Sequence, residues 1–480
     1  MPFGLVRSLL MLLRQFVIDG LGHLSTLIAD ESAGLAAVID PRRDVDVYLD
    51  AARAADVRIS HVVETHLHND YVSGGRDLAA LTGATHVIGA GAELAYEHQP
   101  VRHGESFDVG GLRFSVLETP GHTPEHVAYA VADTTRAGEP LLMFTGGSLL
   151  VGAVGRTDLL GEANALPFAR QMFHSLHDVI LPHEDFVAVY PTHGAGSLCS
   201  TGISSTPSST VGFERRHNPM LRPAEVDEFA RALLAGQPAF PGYFARMRPT
   251  NQAGPRLLGG RVPEPLPLAI DDVQTALAGN AQLIDLRAPA EHALAHVPGS
   301  LSIPSGSSFG TWLGWVVEPD RPLVLMLDDP ADWDDAVRQA LRVGYEQIRG
   351  HVRGGFTAWA ESGGAIESSG RLTVDQLATR LADPDRAPLV IDVRQAAEYG
   401  DGHVPGAWHI AAGTLQDRLG DLPRDRPIVA MCASGYRSSV AASLLRRAGF
   451  EDVAWVASGV PAWVAQGHEI EVGDGRRGSA

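Results

Sequence analysis

The sequence predicts a multidomain protein of the α/β class, and three observations support this. Its 480 residues correspond to about three domains of roughly 100–200 residues each. Short apolar segments alternate with glycine turns and helical patterns through residues 12–240, which is typical of layered α/β domains. Beyond residue 267 the chain repeats itself, since the tetrapeptide that starts at Ile284 recurs at Ile391, 107 residues later. Each copy of the repeat is long enough to form a domain of its own.

The N-terminal region, residues 12–240, contains several short segments that we interpret as β-strands. Each is apolar and is bounded by turn-forming residues. The predicted strands are residues 15–28, 36–39, 58–64, 85–88 and 112–118. Strands that alternate with helices in this way indicate sheets covered by helices.

A segment rich in proline and glycine, residues 241–267, follows the N-terminal region. Its composition is that of a connector between domains. We therefore predict a linker at residues 241–267.

The two copies of the repeat are predicted to span residues 268–365 and 373–470. Their correspondence continues beyond the first tetrapeptide, because the run His-Val-Pro-Gly that starts at His296 recurs at His403. A period of this length is far too long for a solenoid, so each copy should have its own core. Alternating strands and helices predict a small, doubly wound parallel sheet in each copy.

The composition excludes several classes of function. The chain has 38 lysines and arginines against 57 aspartates and glutamates, a formal charge of −19, which disfavours binding to nucleic acid and to anionic membrane surfaces. Its two cysteines, Cys199 and Cys432, lie more than two hundred residues apart. A disulfide framework is therefore excluded, and a cytoplasmic location is expected. The sequence does not determine the oligomeric state, and a homo-oligomer is one of the alternatives that it leaves open.

Three histidine motifs follow apolar segments of the N-terminal region. The hexapeptide Thr-His-Leu-His-Asn-Asp supplies His66, His68 and Asp70, the turn Thr-Pro-Gly-His-Thr supplies His122, and Tyr-Pro-Thr-His-Gly supplies His193. Imidazole and carboxylate groups that converge on one point are metal ligands. The motifs together predict a site that binds a metal or descends from one that did.

With these motifs, residues 12–240 resemble the metallo-β-lactamase superfamily, and more closely its glyoxalase II and persulfide dioxygenase branch. The sequences Phe-Thr-Gly-Gly, ending at Gly147, and Gly-Arg-Thr-Asp, at residues 155–158, add to the resemblance. It implies an αββα sandwich with one metal ion, Fe(II) or Zn(II), at the sheet edge. In the dioxygenase branch the iron is held by two histidines, which correspond to His66 and His122, and by an aspartate.

Two positions depart from the pattern of this family. The aspartate ligand is replaced by Gly147, and the histidine that usually follows Asp70 is replaced by Tyr71. A glycine supplies no ligand, and a site of two histidines and one carboxylate needs its anion. The sequence therefore argues against a dinuclear hydrolase and against an iron dioxygenase of the usual type.

Three arrangements of the metal site remain open. In the first, His66, His68 and His122 hold one zinc or iron ion, and water takes the fourth place. In the second, Asp70 or Asp158 supplies the missing carboxylate. In the third, the site is empty. The residues expected beside the metal, as supporting or substrate-contacting groups, are Tyr71, His193, Arg156, Asp158 and Cys199.

The most specific motif of the chain is Cys-Ala-Ser-Gly-Tyr-Arg-Ser at residues 432–438, between an apolar strand and a helical segment. A cysteine in this place lies inside a ring of backbone N–H groups at a helix N-terminus, which favours the thiolate and a bound anion. Arg437 closes the ring, Gly435 permits its tight turn, and Ser434 lies within it. The motif predicts Cys432 as a catalytic nucleophile, and the six-residue span to Arg437 suits transfer of a single sulfur atom.

Residues 373–470 accordingly resemble an active rhodanese domain. Residues 268–365 resemble the same family, but Leu327 stands at the position of Cys432 and an acidic loop follows it. Because acidic side chains oppose the binding of an anion, we predict that the first copy is catalytically silent and serves to space or dock the other domains.

The order of the domains resembles that of persulfide dioxygenase–sulfurtransferase fusions. This resemblance implies an enzyme of sulfane-sulfur metabolism. Cys432 would take sulfur from thiosulfate or a low-molecular-weight persulfide and pass it to a thiol, and the N-terminal domain would oxidise persulfide to sulfite with O2. Two alternatives stay open: a metal-dependent thioester hydrolase of the glyoxalase II type, and a metal-free docking scaffold for the sulfurtransferase.

Overall fold

The computed structural model describes residues 11–235, 237, 239–383 and 387–473. It divides into two compact units. The N-terminal unit extends to Val262 and includes Leu341–Gly344, and the C-terminal unit comprises Pro263–Ala340 and the chain from Tyr345 onward. Among the helices that the structure describes, none combines the length and the apolar character needed to cross a membrane.

The N-terminal unit contains two six-stranded sheets. The strands of the first sheet, adjacent in chain order, are β1 Met11–Ile18, β2 His23–Asp30, β3 Leu35–Ile39, β4 Arg58–Val63, β5 Thr85–Gly89 and β6 Gln99–Val101. The second sheet has the order β12-β11-β10-β9-β8-β7, and its strands are β7 Ser106–Val109, β8 Leu112–Glu118, β9 Val127–Asp133, β10 Leu142–Gly146, β11 Ala188–Pro191 and β12 Ser209–Thr210.

Helices cover the outer faces of both sheets. They are α1 Asp46–Ala54, α2 Gly75–Thr82, α3 Glu162–His174, α4 Val211–His217 and α5 Val226–Leu234, and a π-helical segment, Ser175–Ile180, continues α3. A further helix of this unit, α6, spans Phe244–Ala253.

Apolar alternation along the strands fills three layers of core. Successive residues of a strand face opposite sides of a sheet, so Ile28 packs between the two sheets while Leu27 packs under α1 with Tyr48. A third cluster lies between the second sheet and α3, where Met143 meets Met172. The order helix, sheet, sheet, helix is the predicted αββα sandwich.

The first predicted strand, residues 15–28, is wrong as a single element. The chain forms the antiparallel hairpin of β1 and β2 instead, with Ile18 opposite His23. Gly22 permits the turn, because it has φ +61° and a Cβ there would lie 2.2 Å from the backbone nitrogen of Ser197. The other four predicted strands coincide with β3, β4, β5 and β8 to within one residue at each end.

The segment predicted as a linker, residues 241–267, is not a free connector. It contains helix α6, and the N-terminal unit includes it as far as Val262. The physical reason is packing, since Tyr243, Phe244 and Met247 are buried. Proline and glycine composition marks irregular backbone, but it does not show whether that backbone is held by a domain.

The C-terminal unit contains two five-stranded parallel sheets of the same topology. The first has the order β13-β17-β16-β14-β15, and its strands are β13 Pro267–Leu268, β14 Gln282–Asp285, β15 Leu301–Ser302, β16 Leu323–Met326 and β17 Ile348–Val352. The second has the corresponding order β18-β22-β21-β19-β20, with β18 Gly370–Leu372, β19 Leu389–Asp392, β20 Trp408–His409, β21 Ile428–Met431 and β22 Val453–Val456.

The helices of the first copy are α7 Ile270–Ala278, α8 Pro289–Leu294, α9 Phe309–Val316, α10 Asp332–Arg342 and α11 Gly355–Glu361. Those of the second are α12 Val374–Leu381, α13 Ala396–Gly400, α14 Tyr436–Arg447 and α15 Gly459–Ala465, together with a 3-10 helix, Ala412–Asp421. Each copy has its own core, in which Trp359 of the first and Trp463 of the second occupy equivalent places. The predicted tandem repeat of doubly wound domains is confirmed.

Candidate metal and cysteine sites

Three loops bring the histidine motifs of the N-terminal unit together. His66 and His68 follow β4, His122 follows β8, and His193 follows β11. All four rings are buried, with at most 1% of each residue exposed. Strand ends that meet at the edges of two facing sheets thus supply imidazole groups from distant parts of the sequence.

His66, His122 and His193 form one group whose ligand atoms lie within 4.8 Å of one another. His66 donates through Nδ1 to the hydroxyl of Thr65 at 2.8 Å, and His122 donates through Nδ1 to the carbonyl oxygen of Arg156 at 2.8 Å. Nδ1 of His193 lies 3.2 Å from Oδ2 of Asp70. The rings of His66 and His122 are therefore held from behind by hydrogen bonds on their Nδ1 side, and Asp70 lies beside Nδ1 of His193.

A second group, His68, Asp70 and His193, satisfies the same 4.8 Å criterion. Nε2 of His68 faces Oδ1 of Asp40 at 3.3 Å, and its ring stacks on Tyr71 with 4.4 Å between centroids. His193 belongs to both groups. The expected trio of His66, His68 and His122 is not one of them, and the sequence assigned His193 only a supporting place.

Burial controls the protonation of these groups. Burial, with His68 beside it, lowers the pKa of His66 well below its usual value, and burial, with His193 beside it, lowers the pKa of His122 to about 3. Burial opposes the charge of Asp70, but His193 outweighs it and lowers the pKa of Asp70. His66 and His122 are thus neutral imidazoles beside a carboxylate, the protonation states in which these side chains bind metals.

The donor set fits a divalent transition metal. Nε2 of His66, Nε2 of His193 and both carboxylate oxygens of Asp70 are buried without a hydrogen-bond partner. Buried polar groups are normally paired, so unpaired ones that converge indicate a missing ligand. Imidazole nitrogens suit zinc, iron and other first-row metals.

The two departures from the family pattern have structural consequences. A Cβ on Gly147 would lie 2.2 Å from Cδ2 of His122, so the His122 ring occupies the space that a side chain would need. Tyr71 is fully buried, and its hydroxyl donates to the carbonyl oxygen of Asp40 at 3.4 Å. Glycine and tyrosine therefore replace two metal-binding groups by packing groups.

Asp158 does not join either group of histidines. It forms a two-pronged ion pair with Arg156 at 2.6 and 2.7 Å, and Arg156 also donates to the carbonyl oxygen of Leu198. The arrangement in which Asp158 supplies the metal carboxylate is therefore not the one observed.

Cys199 lies beside the histidine cluster, in the loop after His193. It is buried, and its neighbours include His193 and Asp70. Burial, with Asp70 beside it, raises the pKa of the Cys199 thiol. Burial disfavours the charged ring of His193, but Cys199 and Asp70 together raise the pKa of His193 well above its usual value.

Helix α6 and the residue before it support the loop that carries His68, Asp70 and Tyr71, a role that the sequence analysis missed. Asn251 donates through Nδ2 to the carbonyl oxygens of His68 and Tyr71, each at 2.9 Å, and the hydroxyl of Tyr243 donates to the carbonyl oxygen of Asp70 at 3.0 Å. These residues lie more than 170 positions from the loop, so no local pattern links them to it.

The second candidate site surrounds Cys432 in the C-terminal unit. The thiol follows β21 and lies before α14, fully buried. Gly435 donates its backbone N–H to Sγ at 3.1 Å and has φ +97°, and the hydroxyl of Ser438 lies 3.5 Å from Sγ. Ser434 is exposed in the loop. The N-terminus of a twelve-residue helix thus faces the sulfur.

Arg437 is held by an acidic partner. It donates to both carboxylate oxygens of Glu398, at 2.6 and 2.7 Å. Burial opposes the charge of Glu398, but this pairing outweighs it and lowers the pKa of Glu398. The sequence predicted Arg437 at the rim of the loop, and the ion pair shows how its guanidinium is oriented.

The first copy has the same scaffold without the chemistry. Gly355 approaches the backbone oxygen of Leu327 as Gly459 approaches that of Cys432, with a Cβ at 2.8 Å and 2.3 Å respectively. The side chain of Leu327 is buried and apolar, and burial, with Glu291 beside it, raises the pKa of Asp328. The described loop offers no thiol and no cation to an anion.

Fold and sites together define an αββα domain with a cluster of histidines, joined to two copies of a doubly wound domain, of which the second carries a cysteine in its loop and the first carries Leu327 there. The model of the metallo-β-lactamase superfamily matches residues 18–201, and that of the rhodanese-like domain matches residues 269–362 and 373–466. The chain belongs to the metallo-β-lactamase superfamily and carries two rhodanese-like domains.

Its relatives include both branches expected from the sequence. The chain is 31% identical over 216 residues to the hydroxyacylglutathione hydrolase of Rhodospirillum rubrum, covering 42% of this chain and 83% of that protein. It is 28% identical over 172 residues to the hydroxyacylglutathione hydrolase of Dictyostelium discoideum, covering 36% of this chain and spanning only 62% of that relative. It is 28% identical over 215 residues to the mitochondrial persulfide dioxygenase ETHE1 of Bos taurus, covering 43% and 74% of the two chains.

A solved structure extends the similarity beyond the first domain. The crystal structure of a metallo-β-lactamase from Staphylococcus aureus superposes with a TM-score of 0.64 at 31% identity, covering 71% of this chain and 98% of that one. Homology therefore supports a sulfurtransferase-like enzyme with rhodanese-like domains, whose relatives include persulfide dioxygenase and hydroxyacylglutathione hydrolases.

Proposed function

We propose that this chain is an enzyme of sulfane-sulfur metabolism in which Cys432 carries the transferred sulfur atom. The observation that carries the proposal is the position of the Cys432 sulfur, buried at the N-terminus of α14 and accepting the Gly435 N–H at 3.1 Å. A thiol in such a place is set up to bear negative charge and to hold an added sulfur.

The proposed transfer takes place in two balanced steps. The Cys432 thiolate attacks the outer sulfur of thiosulfate, a new S–S bond forms at Sγ, and sulfite leaves with the electron pair of the broken S–S bond. The thiolate of a low-molecular-weight acceptor then attacks the same sulfur, which leaves as the acceptor persulfide and restores the Cys432 thiolate. A low-molecular-weight persulfide replaces thiosulfate as donor by the same chemistry.

The residues around Cys432 have distinct roles in this scheme. The Gly435 N–H and the dipole of α14 stabilise negative charge on the sulfur. Arg437, oriented by Glu398, places a positive charge at the rim for the sulfonate of the donor. Leu327 has none of these partners, so the first copy takes no part in the transfer.

We further propose that the N-terminal unit oxidises the acceptor persulfide. In the overall reaction persulfide, O2 and water give the thiol and sulfite, so that the sulfane sulfur loses four electrons to O2. A metal ion held by the histidine groups would supply redox or Lewis-acid chemistry. The similarity to persulfide dioxygenase ETHE1 supports this assignment, and the place of Tyr71 beside His68 favours a single metal over a pair.

Two other functions of the N-terminal unit are tested beside it. The hydroxyacylglutathione hydrolase relatives favour a thioester hydrolase, which needs a metal-activated hydroxide. A docking scaffold needs no metal.

Replacing Cys432 by serine tests the proposal. Cys432→Ser should abolish transfer of sulfur from thiosulfate to glutathione, by at least about a thousandfold, because a serine hydroxyl cannot carry the sulfur. Uptake of O2 with added glutathione persulfide should persist in the same variant. Cys199→Ser removes the other cysteine and should retain transfer.

Transfer that survives Cys432→Ser would contradict the first assignment. Absence of O2 uptake in both proteins, together with turnover of an acyl-glutathione thioester, would replace the dioxygenase by a hydrolase. Absence of both activities, with sulfur transfer intact, would leave the scaffold.

A further inference from the structure

We infer that the N-terminal unit binds its metal through three histidines, His66, His122 and His193, with Asp70 outside the coordination sphere as the partner of His193. This inference rests on the proposed function only in that a metal binds here. It does not depend on sulfur transfer at Cys432. It assigns the ligand position left by the missing aspartate to His193.

The orientation of the three rings carries the inference. Nδ1 of His66 is hydrogen-bonded to Thr65 and Nδ1 of His122 to a backbone carbonyl, so Nε2 is the nitrogen left for a ligand in these two rings. In His193, Nδ1 lies 3.2 Å from Oδ2 of Asp70, and neither ring nitrogen has a hydrogen-bond partner. Nε2 of His66 is likewise buried without a partner. A histidine that ligates a metal through one nitrogen characteristically donates its other N–H to a carbonyl, carboxylate or hydroxyl.

The supporting partners of His66 and His122 are themselves fixed. The hydroxyl of Thr65 donates to Oδ2 of Asp40 at 2.9 Å, and the Thr65 backbone N–H donates to Oδ1 of Asp40 at 2.7 Å. Arg156, whose carbonyl oxygen receives His122, is anchored by Asp158. The rings are thus pre-arranged in the ligand-free protein, as a built site requires.

His68 has a different environment from the other three rings. Its Nε2 faces Oδ1 of Asp40 at 3.3 Å and Oε2 of Glu64 at 3.9 Å, and one face of its ring is covered by Tyr71. Nε2 of His68 lies near both carboxylates without a hydrogen bond, and His68 is not a member of the group formed by His66, His122 and His193. His68 therefore supports the cluster and leaves the metal to His66, His122 and His193.

Gly147 explains why three histidines can meet at this point. The absence of a side chain lets the His122 ring lie against the backbone at residue 147, where a Cβ would be 2.7 Å from Nε2. Imidazole ligands carry no charge once they are bound, so three of them would leave the charge of a divalent ion without a directly bound carboxylate. The site should therefore take an anionic sulfur ligand, such as a persulfide anion, more readily than a neutral one.

Titration of the metal-free chain with Co²⁺ tests the inference, because visible absorption reports coordination without any assay of activity. Wild type should bind one Co²⁺ with an intense four- or five-coordinate spectrum. The variants His66→Ala, His122→Ala and His193→Ala should each bind at least a hundredfold more weakly. His68→Ala should bind within about fivefold of wild type, and Asp70→Asn should bind about 10–100-fold more weakly. His174→Ala, at an exposed histidine outside both groups, is the control and should bind as wild type does.

Each other outcome overturns the inference. Retention of Co²⁺ by His193→Ala would restore the trio of His66, His68 and His122. Loss in His68→Ala with retention in His66→Ala would assign the second group, His68, Asp70 and His193. Absence of Co²⁺ and Zn²⁺ binding in wild type would show that the cluster is not a metal site.

Folding and function are controlled separately. Far-UV circular dichroism checks each variant, and a variant that has lost its fold is replaced by the glutamine substitution at the same position, judged by the same criterion. Sulfur transfer by Cys432 should be unchanged in all of them. Its absence from wild type would contradict the proposed function without affecting the metal result.

Discussion

At residue 147 the lack of a side chain determines how the His122 ring packs. A Cβ would lie 2.2 Å from Cδ2 of His122, a separation that real Cβ atoms do not show. The ring and the backbone of Gly147 are therefore in direct contact, and Gly147 donates its N–H to Nε2 of His126 at 2.9 Å. The same residue removes a carboxylate from the site and creates the space that His122 fills.

We expect Gly147→Ala to destabilise the N-terminal unit by about 1–3 kcal/mol, because the added methyl group overpacks the core against His122. All seven tryptophans lie at residue 312 or later. Tryptophan fluorescence therefore reports unfolding of the C-terminal unit. A thermal transition that appears in far-UV circular dichroism but not in tryptophan fluorescence reports unfolding of the N-terminal unit. Gly138→Ala, at an exposed glycine with open space around it, is the control. Equal melting temperatures of Gly147→Ala and Gly138→Ala would show that the structure accommodates the added methyl group at residue 147 without loss of stability.

At the scale of the element, helix α14 connects the cysteine loop with the silent copy. The hydroxyl of Tyr436, the first residue of the helix, donates to the carbonyl oxygen of Pro304 at 3.3 Å. In the middle of the helix, the hydroxyl of Ser443 accepts the backbone N–H of Ser302 at 3.1 Å, and near its end Arg446 pairs with Glu367 at 2.9 Å. The first copy, through Ser302 and Pro304, thus contacts the helix that presents its N-terminus to Cys432, and Glu367, in the segment between the two copies, adds a contact near the end of the helix.

We expect Tyr436→Phe to lower kcat of sulfur transfer two- to tenfold with the fold intact, because one hydrogen bond that positions the start of α14 is lost. KM for thiosulfate should change less than kcat, since Arg437 is untouched. Glu367→Gln weakens the contact at the far end of the helix and should leave kcat within twofold. A kcat equal to that of wild type in Tyr436→Phe would limit the role of the silent copy to stability.

At the scale of the whole molecule, burial of neutral histidines makes stability depend on pH. Burial, with His68 beside it, lowers the pKa of His23 to about 3, and burial, with His193 beside it, does the same for His122. The pKa values of His66 and His126 are also lowered by burial, whereas that of His193 is raised and acts in the opposite direction. Of these five buried histidines, four therefore have lowered pKa values, and one, His193, has a raised pKa.

The metal-free N-terminal unit should therefore lose stability as the pH falls from about 6.5 toward 3. In the unfolded chain these rings bind protons below about pH 6.5, while the folded unit keeps them neutral, so acid favours the unfolded state. The loss at pH 5 is about 2 kcal/mol for a ring such as His122. Melting followed by circular dichroism at pH 7, 6 and 5, compared with tryptophan fluorescence, measures it. A melting temperature of this unit that does not change with pH would contradict the assigned protonation states.

Local patterns in the sequence determined the class of the fold and the identity of the chemical groups. The strands and the loop around Cys432 depend on residues that are near one another in the chain. The repeat is visible because the same short motif recurs 107 residues later. The motifs at His66, His122 and His193 are visible for the same reason. These predictions hold because backbone propensity and apolar periodicity act over a few residues.

Only the tertiary structure decided how these groups are combined. It placed His193 in the ligand cluster, paired Arg437 with Glu398 and turned the predicted linker into helix α6, which supports the metal loop. Each of these contacts joins residues tens to hundreds of positions apart. Packing of the sheets and helices brings such residues together. Neither the periodicity nor the composition of the chain indicates which distant residues come into contact.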